Sequence, residues 1–282
     1  MRDSRHNSAW FDGVDMVRLP KAIQTAYALE RIGFRPFGIA EHDLDVDFRQ
    51  PSVPALVTDI LECCATSGNG KSPERNLLWE LQVGTRIECL LRIVGLSGAF
   101  EGAFIERCRN EGCGEPLEFE LSLNDLLSLQ DEPGDFVSVQ CGDETLVLRK
   151  PTGADQRDWA ARVFPNDLAS IESMVQTLIV RDSEPLPRLH YESLALVDQA
   201  MQAADSLVDF NLELICPHCE SSSEFDVDLQ TLAIQRLGQC QRRLLTTVHL
   251  LARHYHWSEQ QIFAVPPWRR DHYLKMLEAE TI

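Results

Sequence analysis

Nine cysteines carry most of the chemistry that residue type and spacing offer in this chain, at positions 63, 64, 89, 108, 113, 141, 216, 219 and 240. Four of them form two close pairs, Cys108-Arg-Asn-Glu-Gly-Cys113 and Cys216-Pro-His-Cys219. A tight turn between two cysteines lets both thiolates face one ion, and two such turns supply the four sulfurs of a tetrahedral zinc site. The spacing therefore predicts a structural zinc held by Cys108, Cys113, Cys216 and Cys219. With sulfur at every position the site is closed and has no place for a catalytic water. Two other arrangements fit the same residues: buried reduced thiols, or two independent sites each completed by other ligands. His218, inside the second turn, is read as lying beside the ion rather than binding it.

The sequence around the pairs repeats. Five residues after Cys113 comes Phe119-Glu-Leu-Ser-Leu123, and five residues after Cys219 comes Phe225-Asp-Val-Asp-Leu229. Ala103-Phe-Ile105 and Asn211-Leu-Glu-Leu-Ile215 lead into the pairs as apolar, strand-like approaches. The pattern predicts a duplicated strand–knuckle–strand unit, with both Phe-led segments as strands.

The elements that must position these knuckles are mostly helical. Residues 76–95 carry apolar positions at helical spacing interrupted by Gly84, which predicts two helical pieces or one weakened helix. Phe136–Gln140 and Glu144–Arg149 alternate as a hairpin. Asp155 is placed to cap a helix reaching Phe164, and helices follow at Leu168–Val180 and Tyr191–Ala204. Leu229 to His256 reads as one long helix. Ser258 and Gln261 then form a capping box, and a last helix starts near Trp268. Shorter helices are expected at Lys21–Arg31 and Ala55–Cys64. Ser67-Gly-Asn-Gly-Lys-Ser72 lacks the first glycine of a phosphate loop and reads as a linker.

The expected fold is therefore α+β: a small, split zinc-ribbon-like β unit with a helical insertion and a C-terminal helical subdomain. Its expected division is an N-terminal region of unassigned role over 1–70, then a helix with the first knuckle and strands over 71–150. The helical insertion covers 151–205, and the second knuckle with the C-terminal helices covers 206–282.

Charge restricts the partners. The chain has 26 basic and 44 acidic residues, and Gln241–Ile282 holds six of the first and four of the second, leaving 20 and 40 before it. So acidic a surface repels nucleic acid everywhere except at the C-terminal tail. No apolar run has the length of a membrane span, and nothing reads as a signal peptide. With an odd cysteine count, this points to a reducing, cytoplasmic setting. No nucleophile elbow, dinucleotide-binding turn, kinase set or H-E-x-x-H motif occurs, and His249, His254, His256 and His272 read as helix-surface positions. No enzyme activity is expected.

The segment Arg243-Leu-Leu-x-x-Val248-His-x-Leu-Ala252-x-x-Tyr255-x-Trp257-Ser-Glu259-x-x-Ile262, followed by Arg269-Arg270-x-x-Tyr273-Leu274, resembles a family of baseplate and hub-assembly proteins. These belong to contractile phage tails and related phage-tail-like contractile injection systems. The resemblance extends to Cys216-Pro-His-Cys219 and its Phe225-Asp strand, to Leu78-Trp79-x-Leu81-x-x-Gly84-x-Arg86, and to Arg149-Lys-Pro-Thr-Gly-Ala-Asp155. It departs from the family at the first knuckle, which is usually Cys-x2-Cys, and at His256, where glycine is common. The resemblance implies no reaction. It implies binding to baseplate, hub or tail-tube subunits, either as a particle component or as a chaperone of assembly.

Trp257, Phe263, Trp268, Arg269, Arg270 and Tyr273 combine aromatics with arginine, the composition interfaces favour, and are the expected partner-binding residues. The competing reading of that cluster is a local core. The competing function is a zinc-ribbon, transcription-related regulator whose C-terminal helices act as a helix-turn-helix. It would depend on Trp268-Arg-Arg-Asp-His-Tyr-Leu-Lys275 as recognition helix.

Overall fold

The apolar residues of the N-terminal third do not form a separate layer but enter the same core as the central and C-terminal helices. The computed structural model describes residues 15–67, 72–100, 104–129, 134–142, 144–180 and 191–280. β1 (Asp15–Arg18), α1 (Lys21–Tyr27), β2 (Arg31–Phe34), α2 (Val53–Cys64) and β3 (Ala65–Ser67) open the fold. The three strands make one antiparallel sheet in the order β1-β2-β3. Val17, Ile32, Phe34, Ile60 and Leu61 are buried with Leu78, Leu90, Leu91 and Val94, and with Leu229, Ala233 and Leu237.

The helical stretch ahead of the first knuckle is two helices, α3 (Arg75–Glu80) and α4 (Val83–Leu96). The break falls at Leu81-Gln82, and Gly84 lies within α4. Packing explains the glycine: a Cβ there would stand 2.0 Å from Asp205 Oδ2. Residues 68–71, the centre of the expected linker, lie outside the described residues.

β4 (Phe104–Arg107) and β5 (Pro116–Phe119) form the first cysteine hairpin, and α5 (Leu123–Ser128) follows. The expected strand at 119–123 is thus displaced. Its Ser122 caps α5 by accepting from the Asp125 amide, which turns Leu123 into the first helical residue. The second unit shows the same shift, since β9 (Ser222–Asp226) ends before Asp228, whose side chain accepts from the Thr231 amide. The repeat is longer than the alternation alone indicates: strand, cysteine turn, strand, capped helix.

Between the two units, β6 (Phe136–Cys141) and β7 (Glu144–Arg149) pair as the sequence predicts. α6 (Gly153–Ala160), α7 (Asp167–Leu178) and α8 (Tyr191–Ala204) follow. The α6 cap is Thr152, with Asp155 reaching back from the third position and also pairing with Arg149 at 2.5 Å. Val137, Val139, Leu146 and Leu148 face Val175, Leu178, Leu194 and Val197, so hairpin and helices share a small core of their own. Residues 181–190, between α7 and α8, lie outside the described residues.

β8 (Asn211–Ile215) pairs with β9, and α9 (Leu229–Tyr255) leads to α10 (Glu259–Ala264) and α11 (Pro267–Glu280). The Ser258–Gln261 capping box forms as predicted. Leu251, Ile262 and Leu277 are the buried contacts of this three-helix end. Among the described residues no helix is long and apolar enough to cross a membrane.

Candidate metal centre

Each cysteine pair closes a β-hairpin, but the two loops differ in length. In the first, Arg107 pairs with Pro116, and in the second, Ile215 pairs with Ser222. The longer Cys-x4-Cys loop is folded by Asn110. Its backbone oxygen accepts from the Cys113 amide at 2.9 Å, and its side-chain oxygen accepts from the Gly112 amide at 3.1 Å. The Cys108 amide donates to Glu115 O, and Gly114 takes φ +65°, the left-handed turn glycine accepts freely. In the shorter loop the Cys216 amide donates to Ser221 O and the Glu220 amide to Cys216 O. Glu220 stands where Gly114 stands, one residue after the second cysteine, and takes the same conformation at φ +59°. Two spacers thus produce equivalent knuckles.

The knuckles meet face to face. Cys108 Sγ lies 3.6 Å from Cys219 Sγ, and Cys113 Sγ lies 3.8 Å from Cys216 Sγ. All four sulfurs lie within 4.8 Å of one another. None of the nine cysteines is in a disulfide. Cys108 and Cys216 are buried and Cys113 and Cys219 half-buried, so one side of the cluster faces outward. Leu117 and Phe225 form the apolar floor beneath the sulfurs.

Three contacts hold the units in register. Asn110 Nδ2 donates to Ser221 Oγ at 3.1 Å. The Arg109 guanidinium lies 4.8 Å over the Phe225 ring, and Arg236 of α9 lies 5.5 Å over Phe104. These residues are not marked by the cysteine spacing. Only Asn110 has a local signal, as a turn-former inside the spacer.

The electrostatics are those of crowded sulfurs. The Ser221 hydroxyl, 2.7 Å from Cys219 Sγ, and the Ser221 amide bring that thiol down to about 6. The amide of Glu115 favours a Cys113 thiolate, but burial and the three neighbouring sulfurs outweigh it and push the thiol up to about 12. Four thiolates this close cannot all lose their protons together unless a cation joins them. The four-cysteine cluster can therefore hold a metal ion, and its donor set is soft and complete.

A second group, His42, Asp43 and Cys63, also converges. Its centre is already taken by a cation. Arg35 Nη2 lies 2.6 Å from Asp43 Oδ1 and 2.6 Å from His42 Nε2. Asp43 Oδ2 accepts from the amides of Gly38, Ile39 and Ala40 at 2.8–2.9 Å. This is a buried ion pair that fixes a loop. Burial alone would raise the Asp43 carboxyl, yet the Arg35 charge and these amides hold it below the usual range.

The six aromatic and arginine residues of the C-terminal helices divide into two sets. Trp257, Tyr255 and Tyr273 pack together with ring centroids 5.0–5.4 Å apart, a local aromatic core. Phe263 is half-buried under Arg270, whose guanidinium lies 5.2 Å from its ring. Arg270 points inward and is only 3% exposed. Trp268, 67% exposed, and Arg269 face outward on α11.

Compared with family models, curated proteins and solved structures, the chain matches none of the three.

Proposed function

We propose that the chain is a non-catalytic structural or assembly protein of a contractile, phage-tail-like baseplate or hub, and that it carries a structural zinc. The zinc reading rests on the sulfur geometry. Zinc–thiolate bonds of about 2.3 Å in a tetrahedron give sulfur–sulfur edges of about 3.8 Å. The two cross-hairpin distances are 3.6 and 3.8 Å. The two hairpins then amount to a zinc ribbon split by the β6–α8 segment, with Cys108, Cys113, Cys216 and Cys219 as ligands. All four positions are sulfur, so the ion would hold the fold together and activate no water.

The assembly reading rests on the C-terminal pattern shared with the baseplate and hub-assembly family. In this chain that pattern falls on α9, α10 and α11. It leaves Trp268 and Arg269 exposed on the outer face of α11, suited to a protein partner such as a baseplate, hub or tail-tube subunit. A helix-turn-helix regulator is less well supported. Of the two adjacent arginines it would use on phosphates, Arg270 is buried.

The test is affinity capture of the intact protein from its native host, with mass spectrometry of what is retained. Recovery of tail-tube, hub or spike subunits, lost with Trp268→Ala, is the expected result. Recovery of RNA polymerase or DNA-bound proteins in their place would overturn it. Zinc content near one ion per chain, abolished by Cys216→Ser, tests the metal separately.

A further inference from the structure

Arg270 presents a problem of charge compensation. Its Nη2 donates to Ile39 O, but Nε and Nη1 have no hydrogen-bond partner although both are buried. Among the described residues no carboxylate contacts it directly. Asp43, the nearest buried acid, already accepts from Arg35 and three backbone amides, and Asp271 sits exposed at the edge of the site. Burial lowers the guanidinium's affinity for its proton by more than the charges of Asp271 and Asp43 raise it. An arginine kept charged at such depth, with the face of the Phe263 ring against it and no anion in contact, is unfavourable until an anion compensates it.

The surroundings form a defined notch of about 200 Å³ between α9, α11 and the loop at Phe37–Ile39. The loop wall is rigid. Phe37 N donates to Ser97 Oγ at 2.9 Å, the next three amides are held by Asp43, and Gly38 takes φ +83°. Its packing against α9 leaves no room for a side chain, since a Cβ on Gly38 would lie 2.8 Å from Cys240 Cβ. Cys240 and Leu244 supply an apolar side. Arg243 stands exposed at the mouth. Among the described residues its one side-chain hydrogen bond is a 3.7 Å contact to Cys240 Sγ, and no carboxylate pairs with it. Two arginines against the single Asp271 leave the notch positive, in a chain of net charge -18.

We propose that this notch is a carboxylate-binding site, in which one carboxylate group lies between Arg270 at the floor and Arg243 at the mouth. The volume fits a group the size of acetate or the end of a glutamate side chain. The carboxylate belongs either to a free small acid or to an Asp or Glu side chain inserted by a partner protein. The site stands on the Arg270 geometry and does not depend on the baseplate reading.

The test uses the full-length, metal-loaded protein with ¹⁵N-labelled arginine. The side-chain Nε–H signals are followed while sodium acetate or N-acetyl-glutamate amide replaces sodium chloride at constant ionic strength. A saturable shift of the Arg270 signal is expected, weakened about tenfold or more by Arg243→Gln, the size expected for a hydrogen bond to a charged group. Equal affinity for the two probes assigns the site to a free small acid. Clearly tighter binding of the glutamate derivative assigns it to a partner's side chain. A response that does not saturate, or that survives unchanged in Arg243→Gln, overturns the proposal. Arg243 is exposed, so that variant keeps the test valid even if Arg270→Gln fails to fold.

Discussion

The two cysteine hairpins have matching turns and unequal supports. Both run strand, knuckle, strand and capped helix, but the helix after the first is six residues long and the helix after the second is 27. α9 sends Leu229, Ala233 and Leu237 into the main core, so the second hairpin is anchored by apolar burial. α5 is short and reaches that core with one buried residue, Leu126, and with Leu123 and Leu127 half-buried against it beside Leu121. The first hairpin has the weaker apolar anchor and therefore depends more on what reaches it from the second: the shared sulfur cluster, Asn110 on Ser221, Arg109 on Phe225 and Arg236 on Phe104. Duplicated local sequence thus yields one unit that anchors and one that is held.

Metal loss should expose this inequality most strongly. Cys216→Ser or chelation should abolish metal binding and release the first hairpin. Amide exchange would then be fast over 104–119 while 229–255 stays protected. Equal loss of protection in both regions would show that the hairpins are equally anchored. Structural zinc binding is coupled to folding on the order of 10 kcal/mol, so this effect is the largest expected.

Acidification acts on the same link. In the metal-free cluster Cys113 sits at about 12 and keeps its proton through neutral pH. Metal binding must expel that proton and any held by the other sulfurs, so affinity should fall about tenfold or more for each unit the pH is lowered. A competition titration with a chromophoric chelator at two pH values reads this slope, and a flat profile would mean that the ion does not displace the proton.

The caps give a smaller contrast. Asp228→Ala should cost about 1 kcal/mol of global stability, because α9 belongs to the main core. Ser122→Ala removes the matching hydrogen bond but should change the global denaturation midpoint little, its effect confined to exchange in 123–128. Equal midpoint shifts would place α5 in the same cooperative unit as α9. The smallest effect is expected from Arg109→Ala, at about 0.5–1 kcal/mol, read as a modest loss of metal affinity with α9 unchanged.

The long and strongly patterned features could be read from sequence. The β6–β7 hairpin, α8, α9 and the Ser258 box follow from alternation, helical spacing and capping chemistry. The convergence of Cys108 and Cys113 with Cys216 and Cys219 follows from the repeat. What alternation misplaced were the strand ends, because Leu123 and Leu229 continue an apolar pattern that fits strand and helix equally, and the caps at Ser122 and Asp228 decide between them. Asp155 resembled a cap because the capping box uses two residues, and Thr152 holds the terminal place. The inward turn of Arg270 could not be read, since its contact with Ile39 O spans 231 positions, and the Arg35–Asp43 pair, though only eight positions apart, follows no helical or strand period that would mark it. The Gln241 amide that donates to Asp43 O and Val46 O comes from nearly 200 positions away.

The cluster of four sulfurs also has a consequence for chain entropy. Cys113 and Cys216 are 103 positions apart, so an ion between them closes a loop of that length. For a covalent cross-link of about 100 residues the entropy removed from the unfolded chain corresponds to roughly 4.7 kcal/mol. That quantity varies only with the logarithm of loop length, about 0.6 kcal/mol per doubling. The segment carrying β6, β7 and α6–α8 can therefore lengthen, shorten or be exchanged with little effect on the closure that holds the two halves of the site together.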